Sequence, residues 1–94
     1  MDRAAGDPVK RTTVTAILKD EAGLTLAERT TFAWNSGVRA TEAMLREYGR
    51  ENGLAFTGST PEVDRYETGR VYRREWTTTR GDTFWAIVQE GQVP

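Results

Sequence analysis

The chain contains no cysteine and no histidine. The first absence removes disulfides, thiol nucleophiles and thiolate metal ligands together. The second removes the side chain most used for proton transfer near neutral pH and for holding zinc or copper. Serine occurs only at Ser36 and Ser59, and no histidine exists to activate either. No apolar run approaches the roughly 20 residues of a membrane-spanning helix. Residues 1–10 are charged and contain Gly and Pro, without the apolar stretch of a secretory leader. The expectation is a cytoplasmic protein with a mobile tail over 1–10 and a single domain over 11–92. No cofactor, metal or membrane attachment is expected.

Charge is plentiful but balanced: 13 cationic and 14 acidic side chains leave a net charge of -1. A balanced chain has no global field of the kind that marks a general nucleic-acid binder. Only Lys10 and Lys19 are lysines, so arginine, with its planar bidentate donors, supplies nearly all the positive charge.

The pattern of apolar residues predicts an α+β fold: β-hairpin, helix, β-hairpin, in a four-stranded antiparallel sheet with one helix packed on one face. Thr12 to Lys19 alternates, and Asp20-Glu21-Ala22-Gly23 supplies a turn into a second strand from Leu24 to about Trp34. A three-residue loop with Gly23 at a bulge would pair Leu18 with Leu26 and Val14 with Thr30. That register gathers Val14, Ala16, Leu18, Leu24, Leu26 and Phe32 on the core face. From Val38 the period becomes helical, with Val38, Thr41, Met44, Leu45 and Tyr48 in one stripe. Asn35 or Ser36 would cap the start of this helix and Asn52-Gly53 would end it. A brief strand is expected at 54–57, and one helical turn at 62–65 after Pro61.

The last third, Arg70 to Glu90, reads as a hairpin turning at Arg80-Gly81-Asp82, with bulky apolar residues on both faces. An even-numbered loop places Trp76 opposite Ile87 and Thr78 opposite Trp85. Tyr72, Trp76, Trp85 and Ile87 then form the core side. An odd loop would group Trp76 with Phe84, Ala86 and Val88 instead.

Several constellations have ordinary explanations. Arg80-Gly81-Asp82 matches an adhesive tripeptide, but Gly-Asp between strands is common turn chemistry. Glu62, Asp64 and Glu67 lack the spacing of a calcium loop and read as a solvated acidic segment. Tyr66, Arg70, Arg73, Arg74 and Glu75 would be the raw material of a histidine-free nuclease, a third reading that rests on residue supply alone.

Two surfaces remain. The first is the outer sheet face, expected at Arg29, Arg73, Glu75, Phe84 and Val88, with Ile17 and Val71 nearby; arginine among aromatic and aliphatic groups is an interface-like mixture. The second is the basic segment 65–80, in which Arg65, Arg70, Arg73, Arg74 and Arg80 interleave with Tyr66, Tyr72 and Trp76, as a nucleic-acid-binding sheet would arrange them. The leading expectation is a small non-enzymatic protein-binding module of phage-like character, acting as an inhibitor, adaptor or assembly protein. Its partner is another protein, a second copy of the chain included. A nucleic-acid-binding module is the alternative.

Overall fold

The computed structural model describes residues 12–91, and the expected tail over 1–10 lies outside them. The elements are β1 (Thr13–Asp20), β2 (Thr25–Thr31), α1 (Trp34–Asn52), β3 (Phe56–Gly58), β4 (Glu62–Tyr66), β5 (Gly69–Thr78) and β6 (Thr83–Gly91). The architecture is α+β, with one helix across an antiparallel sheet. The sheet has six strands rather than the expected four, in the order β2-β1-β6-β5-β3, and β4 also pairs with β5. Glu62 to Arg65 is strand, not the expected helical turn. The reason lies in β5, whose outer edge would otherwise present a row of unpaired backbone groups. Phe56–Gly58 satisfies one half of that edge and Glu62–Tyr66 the other. Pro61, which lacks an N–H, sits in the gap between them. No helix among the described residues is long and apolar enough to cross a membrane.

Both hairpins close with the same device. Asp20 N–H donates to the Leu24 carbonyl and Gly23 N–H to that of Asp20, while Thr78 N–H donates to the Asp82 carbonyl and Gly81 N–H to that of Thr78. Gly23 and Gly81 each have φ 88°, a conformation that a Cβ disfavours. Each is a three-residue loop ending in a bulge glycine. The Asp20 carboxylate accepts the N–H groups of Ala22 and Leu24, and the Thr78 hydroxyl accepts those of Arg80 and Asp82.

The first loop therefore forms as expected, but its register does not persist. Lys19 faces Thr25, whereas Leu18 faces Ala27, so a bulge leaves Leu26 as the extra residue. Beyond it Val14 faces Thr31 and Ala16 faces Arg29. One extra residue turns the rest of the strand over. Leu24 and Phe32, expected in the core, are exposed.

In the second hairpin the odd loop holds. Trp76 faces Phe84, Arg74 faces Ala86 and Tyr72 faces Val88. The expected sides of β6 are thus exchanged: Phe84, Ala86 and Val88 are buried, and Trp85 and Ile87 lie on the other side.

The core lies between α1 and one sheet face. Ala16, Leu18 and Phe84 pack with Ala40, Met44 and Leu45 of the helix, while Val14, Tyr72, Ala86 and Val88 form a second cluster beside Trp34 and Val38. The helix begins four residues before its expected start. Its N-cap is Ala33, with no side-chain cap, so neither Asn35 nor Ser36 plays that role. Gly53, at φ 65° and ψ 38°, ends it as expected. Gly37 lets the first turns of the helix press onto the sheet. A Cβ there would overlap the Val14 Cγ1 and stand 3.0 Å from the Val88 Cγ1.

Candidate functional site

No described element covers the second face of the sheet. Pairing places residues in rows across it, because directly opposed residues of an antiparallel sheet point to the same side. One row reads Glu28, Ile17, Ile87, Arg73, Glu62 from β2 to β4. The next toward the hairpin loops reads Thr25, Lys19, Trp85, Glu75. The one on the other side reads Thr30, Thr15, Gln89, Val71, Asp64. Ile17, Val71, Trp85 and Ile87 thus form an apolar strip down the middle, with threonines and charged groups around it. Trp85 is 37% exposed, a large fraction for an indole in a central strand.

The charges of this face are paired or mixed in sign. The Arg73 guanidinium donates to the Asp64 carboxylate at 2.6 Å, both side chains being about half exposed (46% and 48%). Glu75 donates its backbone N–H to the Ser59 hydroxyl at 3.2 Å. Lys19 and Arg73 are set among Glu28, Glu62, Asp64 and Glu75, so the face is on balance acidic.

Of the five residues expected at a protein interface, only Arg73 and Glu75 lie on this open face. Phe84 and Val88 are core residues, 6% and 0% exposed, because the odd loop turned β6 over. Arg29 is on the helix side, where the bulge at Leu26 sends it, and it reaches Glu47 of α1 at 3.7 Å. Ile17 and Val71 are where expected. Trp85 and Ile87, expected in the core, are the largest apolar groups at the centre of the open face. The signal that could have found them is the shared turn chemistry, since Gly81 follows Thr78 by three residues as Gly23 follows Asp20.

The five arginines of 65–80 do not form one surface. Arg65, Arg70 and Arg74 lie on the helix side, Arg73 on the open side, and Arg80 in the hairpin loop. Arg70 grips Glu90 through two parallel bonds of 2.8 Å and covers the Trp34 ring at 4.3 Å. The guanidinium, with a further N–H from the Arg70 backbone, holds the Glu90 carboxyl at a pKa of about 2. Arg74 lies over the Trp76 ring at 4.2 Å, donates to the Ser59 carbonyl at 2.7 Å and is 3.9 Å from Glu42. These two arginines seal the flank of the core.

Glu62 and Asp64 face the open side from β4, and Glu67 stands in the turn after it. Among the described residues no group of three or more acidic side chains is gathered as a metal site. A groove of about 610 Å³ lies where the two hairpin loops meet the end of α1, floored by Tyr48 and Phe84 and rimmed by Asp20, Glu21, Arg80 and Asp82. Its carboxylates are already engaged: Asp20 within its turn, Glu21 by the Thr83 N–H and Asp82 by the Thr78 hydroxyl. Compared with known protein families, curated proteins and solved structures, the chain shows no significant match to any of them.

Proposed function

We propose that this protein acts by binding another protein on its open sheet face, inhibiting, adapting or assembling it without chemistry of its own. One observation carries the reading: among the described residues nothing is layered over Ile17, Val71, Trp85 and Ile87 on one side of the sheet, while a helix covers the other. Trp85 is exposed and the other three are half-buried between their neighbours. An apolar strip with an aromatic group at its centre and a polar rim is the composition of a protein interface core. The threonines around it suit such a surface, being rigid β-formers that keep the strands ordered without a cover. The arrangement of the arginines weighs against the nucleic-acid reading, since they are divided between two faces and largely committed to carboxylates and aromatic rings.

The test is a photocrosslinking residue, benzoylphenylalanine, in place of Trp85, with a second placed at Glu47 on the helix as control. Irradiation in extract followed by mass analysis should give protein adducts at position 85 and few at position 47. Adducts to nucleic acid, or equal yield from the two positions, would overturn the proposal.

A further inference from the structure

The open face is self-complementary, and we propose that its partner is a second copy of this chain, packed face to face as a two-layer sandwich. The inference rests on the open-face reading and supplies the partner that it leaves unspecified.

The row across the centre runs Glu28–Ile17–Ile87–Arg73 over the four strands β2, β1, β6 and β5. Its order is acid, isoleucine, isoleucine, base. Consider a two-fold axis parallel to the strands, midway between β1 and β6, in the plane between two stacked sheets. Rotation about it keeps each row at its own height and reverses the order of the strands. Ile17 then meets Ile87 of the second copy, and Glu28 meets its Arg73, each contact occurring twice. In the adjoining row the same operation sets Lys19 over the second copy's Trp85 ring, a cation–π contact. No like charges meet in either row. Moving the axis by half a strand spacing, onto β1, loses all of this: Ile17 would then stand over itself and Glu28 over Ile87.

Geometry permits the assembly. Sheets pack about 10 Å apart with strands within roughly 30° of alignment, and the isoleucines of the central row suit that spacing. Arg73 is held by Asp64 through one nitrogen, and a guanidinium has five N–H donors, so it can bridge to Glu28 of the second copy without releasing Asp64. Four strands spanning roughly 15–20 Å and six or seven residues along each bury of the order of 1,000 Å² over both copies, near the lower limit for a specific interface. A reversible dimer, with dissociation in the micromolar range, is what such an area supports. Edge pairing through β2 is a poorer route to a dimer, because symmetric pairing centred on that strand sets Glu28 against its own copy.

Sedimentation of the full chain from about 10 μM to about 1 mM tests this, with circular dichroism to follow the fold. A reversible monomer–dimer equilibrium is expected. Ile17→Asp and Ile87→Asp should shift it wholly to monomer with the spectrum unchanged. Glu28→Arg and Arg73→Glu should each weaken association at least ~10-fold, and the double variant should regain it by restoring the pair across the axis. That swap keeps the test decisive if either isoleucine variant fails to fold. The absence of cysteine allows a further check: in a mixture, chains carrying only Ile17→Cys should be joined to chains carrying only Ile87→Cys by a short bismaleimide, and chains carrying Glu47→Cys should not be joined. A wild type that remains monomeric at about 1 mM overturns the second copy as partner, leaving the open face to the Trp85 crosslinking test. A dimer indifferent to the face variants and to the swap also overturns it, because the contact would then lie elsewhere.

Discussion

Trp76 stands directly opposite Phe84, and that pairing decides which side of β6 meets water. Phe84 lies in the core against Tyr48 and Phe56, with ring centroids 5.4 and 5.3 Å away. Its neighbour Trp85 faces the other way. Two adjacent aromatic residues therefore have opposite roles.

Phe84→Glu should abolish folding or nearly so, since it removes a large buried ring and leaves a charge unpaired in the core. A loss of about 3–5 kcal/mol or more is expected, most of the total for a domain of this size. Trp85→Glu should leave the unfolding free energy from urea titration within about 1 kcal/mol of wild type. Equal effects of the two changes would mean that the strand faces are wrongly assigned.

Gly37 is set by contact rather than by chain flexibility. Replacing a helical glycine with alanine ordinarily stabilises by about 1 kcal/mol. Here the added methyl meets Val14 and Val88, so Gly37→Ala should instead destabilise by about 1–3 kcal/mol. Adding Val14→Ala should recover part of that loss, which a double-mutant cycle would measure.

The Glu90 carboxyl sets a pH dependence. Its folded-state pKa of about 2 lies below the ordinary 4.5, so the folded state prefers the ionised form. The stability this supplies is fully present above about pH 4.5 and is lost as pH falls toward 2. Glu90→Gln should be less stable at pH 7 and should show a flatter decline between pH 5 and 2. Thermal melts across that range would reveal it. The same slope in both proteins would separate Glu90 from acid unfolding.

Arg70 and Arg74 should matter to the fold rather than to any polyanion. Arg70→Ala strips cover from Trp34 and leaves Glu90 without its partner, and Arg74→Ala uncovers Trp76. Each should lower the melting temperature by several degrees, consistent with a loss of about 1 kcal/mol in a small domain. If wild type bound DNA oligonucleotides with a steep salt dependence that these changes removed, the basic segment would be a nucleic-acid site after all.

Much of the fold follows from local pattern. The first strand and its loop, the helix stripe from Val38 to Tyr48, the glycine stop at Gly53 and the span of the final hairpin all rest on the identity of near neighbours in the chain. Alternation, helical period and the conformational freedom of glycine act over only a few residues, so one sequence carries them. They suffice for an α+β fold with one helix and an antiparallel sheet.

Tertiary structure decided the faces, and with them the candidate site. The bulge at Leu26 has no strong sequence mark, and it sends Arg29 toward the helix. The odd loop at Gly81 was legible as an alternative, yet both sides of β6 carry large apolar groups, so alternation alone could not choose between them. What chose was the fit of Phe84 beneath Ala40, Met44 and Leu45 beside Ala16 and Leu18, and of Ala86 and Val88 with Val14 and Tyr72 beneath Trp34 and Val38. The added strands β3 and β4 likewise depend on β5, an edge far along the chain that must be paired. A one-residue slip costs nothing locally and exchanges every side chain between core and solvent, so only packing against the rest of the molecule could put Trp85 and Ile87 outside.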